Sequence, residues 1–207
     1  MKYREILIEQ LKPLPYFDKE TIYQLSRQYG IKNTTVDSYI SRSLARKDFI
    51  QLKKGMCVTD DFYEKNKNEI SYTFYLANVI RTPSYVSSWM ALQYYNLTTE
   101  VIRTVTSVTS KVTRDYRTKV GNFAYHSIRK ELFSEFHLVK GKFVFFIASP
   151  SKALFDLLYF KTRQFRGVHV KEIRGIVGEL RIDLDTMKKK DRAAFYTLVD
   201  NFLTSHE

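Results

Sequence analysis

Residues 17–59 read FDKETIYQLSRQYGIKNTTVDSYISRSLARKDFIQLKKGMCVT, and the fold turns on them. Asp18 is a good helix N-cap, and Phe17 and Ile22 flank it at the spacing of a hydrophobic staple. The helix that follows is expected to bury Ile22, Leu25 and Tyr29, with Gly30 as its stop. Thr34-Thr35-Val36-Asp37 has capping-box spacing and starts a second helix. Val36, Ile40, Leu44 and the stem of Lys47 share one face of it, while Thr35, Ser38, Ser41, Arg42 and Arg46 fall largely on the other. Phe49-Ile50-Gln51-Leu52 reads as a strand, Lys53-Lys54-Gly55 as its turn and Met56-Cys57-Val58-Thr59 as the return strand. Upstream, Ile6, Leu7 and Leu11 line an opening helix that Pro13 and Pro15 stop. Helix, helix, short turn, helix and β-hairpin is the order of a winged helix-turn-helix, which we assign to residues 1–60.

That order marks a surface for duplex DNA. A helix entering the major groove needs short polar side chains and arginine at base edges, and Asn33, Thr34, Thr35, Ser38, Arg42 and Arg46 supply them. Lys53 and Lys54 at the hairpin tip are placed for phosphate, which gives affinity without sequence information. The free N–H groups at the helix start can also accept a phosphate. The plainer reading of the same residues is a solvated helix face on a protein-contact module.

Working outward, the 34 Lys+Arg against 22 Asp+Glu give a net charge of +12, which suits a polyanionic partner. The densest excess runs from Arg103 to Lys130, with seven basic residues and one acid, Asp115. Within it Arg114, Arg117 and Lys119 are candidates for a second basic surface, which Lys161, Arg163 and Arg166 extend. A charged sheet edge explains the same run equally well. Hydrophobic content of 44% excludes a disordered chain, and a single cysteine, Cys57, excludes an internal disulfide framework. No apolar run is long enough to span a bilayer, and the first residues lead into an amphipathic helix rather than a signal peptide, so a cytoplasmic location is expected.

The polar stretch 60–69 reads as a connector to a mixed α/β domain over 61–207, making the chain α+β as a whole. A helix is expected over Ser71–Ile80, on Tyr72, Tyr75, Leu76 and Val79. Another is expected to open at Thr82-Pro83, with Trp89, Leu92, Tyr94 and Tyr95 turned inward and Asn96 closing it. Val101–Thr113 is β-branched or polar almost throughout and predicts a strand. Gly121–His126 and Lys142–Ala148 predict two more. Ser149-Pro150 opens a helix through Leu158, and the remainder looks helical.

Four blocks in this domain stand out: Pro83-Ser84-Tyr85-Val86-Ser87-Ser88-Trp89-Met90-Ala91-Leu92-Gln93-Tyr94-Tyr95-Asn96-Leu97; Val105-Thr106-Ser107-Val108-Thr109 with Arg114; Gly121-Asn122-Phe123-Ala124-Tyr125-His126 with Ile128; and Ile147-Ala148-Ser149-Pro150-Ser151-Lys152-Ala153-Leu154-Phe155-Asp156-Leu157-Leu158. In this order they resemble the AbiEi-type antitoxins of type IV toxin–antitoxin, or abortive-infection, systems. The resemblance covers about residues 72–160. It implies a winged helix that binds inverted repeats in its own promoter and represses the operon. It also implies a C-terminal domain that counteracts a nucleotidyltransferase-like toxin, without a stable complex being required. The chain departs from the family in its recognition helix, which offers Thr, Ser and Tyr in place of an Arg-rich face.

No constellation points to catalysis, a metal or a cofactor. His126, His137, His169 and His206 are too dispersed for a helix-borne metal pair, and Gly141-Lys142 lacks the flanking residues of a phosphate-binding loop. Ser107, Ser110 and Ser127 have no nucleophile elbow, and helix capping or solvation accounts for Asp183 and Asp185. Cys57, Phe143, Phe145 and Phe146 read as core. Two other functions fit the same residues: a winged-helix regulator whose second domain senses a small molecule, and a protein-interaction module without a DNA target.

Overall fold

The computed structural model describes residues 2–204, a mixed α+β chain. Two compact units divide it: Met1–Tyr72 with Tyr116–Gly121, and Thr73–Asp115 with Asn122–Glu207. No helix among the described residues is long and apolar enough to cross a membrane.

In the first unit α1 (Lys2–Leu11) buries Leu7 and Leu11 and ends before Pro13. β1 (Phe17–Asp18) leads directly into α2 (Lys19–Arg27), where the Asp18 carboxylate accepts from the Thr21 N–H at 2.8 Å. Gly30 ends the turn after α2 at φ +66°, a left-handed backbone that residues with a Cβ avoid. Tyr29 lies beyond that helix and is half-buried; the interior position of α2 goes instead to Ser26, whose hydroxyl donates to the Tyr23 carbonyl. α3 (Asn33–Ala45), β2 (Phe49–Lys53) and β3 (Met56–Thr59) follow. The three strands form one sheet in the order β1-β3-β2. Leu11, Phe17, Ile22, Val36, Phe49 and Cys57 make the core, with the Phe17 and Phe49 rings edge to face at 4.9 Å. α4 (Asp60–Asn66) grows out of β3, capped by the Thr59 hydroxyl, so the polar stretch starting at Asp60 is helical.

The capping box expected at Thr34 and Asp37 does not form. The cap lies two residues earlier, at Lys32, and no side chain caps the helix. Asp37 is engaged elsewhere, with Lys19 and Tyr23.

The second sheet has six strands: β4 (Ser84–Val86), β5 (Thr104–Thr109), β6 (Arg114–Thr118), β7 (Gly121–Ser127), β8 (Phe136–Val139) and β9 (Phe145–Ala148). Their order is β6-β7-β5-β4-β9-β8, and the sheet belongs to the second unit except for Tyr116–Thr118 of β6 and Gly121 of β7, which group with the first. α5 (Ile70–Ile80) crosses the division between the units and buries Phe74, Leu76, Ala77 and Ile80 in the second. The helix expected from Thr82-Pro83 is instead a strand: Ser84–Val86 pairs antiparallel with β5, and Val86 pairs parallel with Ile147 of β9. The helix, α6 (Ser88–Tyr94), begins later, Asn96 closes its turn at φ +57°, and Tyr94 is partly exposed while its ring packs against Phe74 and Phe145. The long strand expected over Val101–Thr113 shortens to Thr104–Thr109, while β6 and β8 have no counterpart among the strands expected from sequence. Phe143 and Phe145 are core, but Phe146 is exposed. It lies opposite Leu138 in register, and alternation along β9 turns it away from the side that buries Phe145 and Ile147. Three further helices complete the unit: α7 (Pro150–Lys161), capped by Ser149, α8 (Val170–Glu179) and α9 (Lys189–Thr204).

Candidate nucleic-acid interface

The helical period sets what α3 presents. Val36 and Ser43 point into the core, with Ile40 and Leu44 packed partly against it. The opposite side falls to Thr34, Thr35, Ser38, Ser41 and Arg42. All five are exposed, as are Asn33 at the first helical position and Arg46 at the last cap. Ser38 donates to the Thr34 carbonyl at 3.2 Å. Neither Arg42 nor Arg46 forms an ion pair among the described residues.

One acid could spoil this face, and the fold neutralises it. The Lys19 ammonium lies 2.9 Å from the Asp37 carboxylate, and the Tyr23 hydroxyl donates to the same carboxylate at 2.7 Å. Together these bonds hold the Asp37 carboxyl below the ordinary carboxylate range. Hydrogen bonding with Tyr23 and then Asp37 lifts Lys19 to about 12. The cluster ties the N-terminal half of α2 to that of α3. Sequence alone does not show it, because its members belong to different helices.

The hairpin tip follows from a tight turn. Gln51 pairs with Cys57 and Lys53 with Met56, so the register shifts by a residue at Leu52. Gly55 takes φ +79° with open space around it, and its carbonyl accepts from the Lys19 N–H at 3.1 Å. Lys54 is exposed at the tip and Lys53 is half-buried. Cys57 lies within the hairpin as a buried thiol, pushed up to about 11 by desolvation and therefore unreactive.

All seven basic side chains between Arg103 and Lys130 are exposed. Arg114 and Arg117 sit on β6, the end strand of its sheet, and Lys119 in the turn that follows. Because their separation is odd, pleating turns Arg114 and Arg117 to opposite sides of the strand.

The second unit holds a buried polar cluster that the sequence does not single out by motif. Lys152 Nζ lies 2.8 Å from Asp156 Oδ1, with both side chains almost wholly buried. Ser87 donates to Asp156 Oδ2 at 2.7 Å and Tyr85 at 3.1 Å. Burial raises the Asp156 carboxyl against the pull of Lys152, Ser87 and Tyr85. A signal is nonetheless present: opposite charges four apart, with apolar residues on every side of the helix, fit a buried pair.

Among the described residues no group of three or more His, Cys, Asp or Glu side chains is placed to hold a metal ion. His126 is half-buried beside the Phe160 ring, and burial lowers its pKa. His206 lies outside the described residues. Asp183 accepts from the N–H groups of Asp185 and Thr186, and Asp185 pairs with Arg192.

No protein-family model matches this chain. No curated protein matches it either.

Proposed function

We propose that residues 1–60 act as a winged helix-turn-helix on duplex DNA, with α3 in the major groove and the hairpin tip on phosphate. The observation that carries this reading is the outward face of α3, where polar side chains and two arginines stand exposed while the nearby Asp37 is neutralised by Lys19. The order of helices and the three-stranded sheet of the first unit support it.

For the chain as a whole we propose the antitoxin of a type IV toxin–antitoxin system. It represses its own promoter through α3 and counteracts a nucleotidyltransferase-like toxin through the second unit. This part rests on the four sequence blocks. It assigns no catalytic residue and no cofactor, and it places the protein in the cytoplasm.

Fluorescence anisotropy on the DNA upstream of its own gene tests the first part. Arg42→Ala should cost about 1–3 kcal/mol on that DNA and less on a shuffled duplex, as expected for a bidentate contact with guanine. Equal loss on both would remove Arg42 from base reading. Co-expression with the neighbouring gene tests the second part. The wild-type protein should restore growth, and a variant deficient in DNA binding should restore it equally well.

A further inference from the structure

We propose that a groove in the second unit binds a small phosphate-bearing molecule about the size of a mononucleotide. The inference is independent of the DNA-binding surface. The groove holds about 500 Å³ between the turn after α7, the residues that lead from it into α8 as far as His169, the end of α9 and Arg129. That volume falls within the usual range for small-molecule sites.

Its walls are cationic. Arg129, Arg166 and His169 line it, and among the described residues Asp200 is the one acid that does so. Arg166 is exposed and forms no ion pair among the described residues. Arg129 donates at 3.4 Å to the side-chain carbonyl of Gln164, another residue of the lining. Two arginines lining one hollow suit a phosphoryl group, whose oxygens accept paired N–H donors.

The floor is apolar. Phe165 and Phe202 are both buried, with ring centroids 5.6 Å apart. A ligand with a flat or apolar body beside its phosphate would match both the floor and the walls.

The turn that shapes the groove is itself unusual. Arg163, Gln164 and Phe165 all take left-handed backbone, at φ 52°, 68° and 57°, and Gly167 follows at 67°. Side-chain-bearing residues rarely adopt this conformation even singly. Here it is enforced by the Gln164 N–H donating to the Tyr159 carbonyl, by the Phe165 N–H donating to the Thr162 hydroxyl, and by the Phe165 ring packed on Phe155. Backbone held in such a state by its surroundings concentrates at ligand sites, where it fixes a recognition group. In this turn the left-handed residues on either side set the backbone position of Arg166.

Isothermal titration calorimetry on the full chain at low salt decides the matter, with AMP, UMP, adenosine, uridine and inorganic phosphate as probes. At least one nucleotide should bind about tenfold or more tighter than its nucleoside and than free phosphate, and the paired Arg129→Gln, Arg166→Gln variant should lose about tenfold. The Arg42→Gln, Lys54→Gln variant should bind like wild type. Both arginines of the groove are exposed, so an unchanged circular dichroism spectrum is expected for the groove variant. Failure of both nucleotides to bind would overturn the proposal. So would nucleosides that bind as well as nucleotides, or equal losses in the two variants. Free phosphate binding as tightly as AMP and UMP would overturn the nucleotide-sized ligand.

Discussion

Asp18 shows how much a single side chain settles. Its carboxylate accepts from the N–H and the hydroxyl of Thr21, and those bonds hold its pKa below the ordinary 3.8. Asp18→Ala should therefore cost about 0.5–2 kcal/mol in urea unfolding at neutral pH. A depressed folded-state pKa contributes stability that is present above the unfolded value and lost as pH falls through the folded one. The gap between wild type and variant should be full above 3.8 and close as the solution is acidified below it. A gap that widened in acid would contradict the cap. Asp18 is legible because an N-cap is read from its own neighbours. Asp37 misleads for the opposite reason: its partners Lys19 and Tyr23 belong to the preceding helix, and a long-range ion pair outcompetes the local box.

Among the elements, α3 and the hairpin behave as one device, since the Gly55 carbonyl takes the N–H of Lys19 and the Lys19 side chain takes Asp37 on α3. If the hairpin tip touches phosphate, replacing Lys53 and Lys54 with Ala should weaken binding to all duplexes alike. The slope of log affinity against log salt should flatten by about 0.9 for each phosphate no longer neutralised. An unchanged slope would place the tip away from the DNA backbone. Elements bounded by local signals are readable: Gly30 and Gly55 end or turn their segments, and Ser149 caps α7. The stretch after Thr82-Pro83 is not. Proline there resembles a helix start, but Ser84–Val86 acquires neighbours on both sides from Thr104–Thr109 and Phe145–Ala148. Strand identity at the middle of a sheet is conferred by distant residues, so no local window reveals it. The face of α3 is readable from its period, whereas the groove at Arg166 depends on a turn of left-handed residues that propensity disfavours.

At the scale of the molecule, the buried Lys152–Asp156 pair is a costly feature to break. Asp156→Asn would leave the Lys152 ammonium buried without its counter-charge, at a cost of about 3–5 kcal/mol. Replacing both together, with Met and Leu, should cost much less than the two single changes combined, as read by urea denaturation. Strict additivity would mean that the two charges do not compensate each other in the core.

The parallel pairing of Val86 with Ile147 also bears on biosynthesis. While the ribosome is still translating the middle of the chain, Ser84–Val86 can meet only one of its two eventual strand neighbours. Asp156, to which Tyr85 and Ser87 donate, has not yet been made. The centre of the sheet therefore stays incomplete until β9 has left the exit tunnel, and the hydrogen bonds to Asp156 until α7 has followed it.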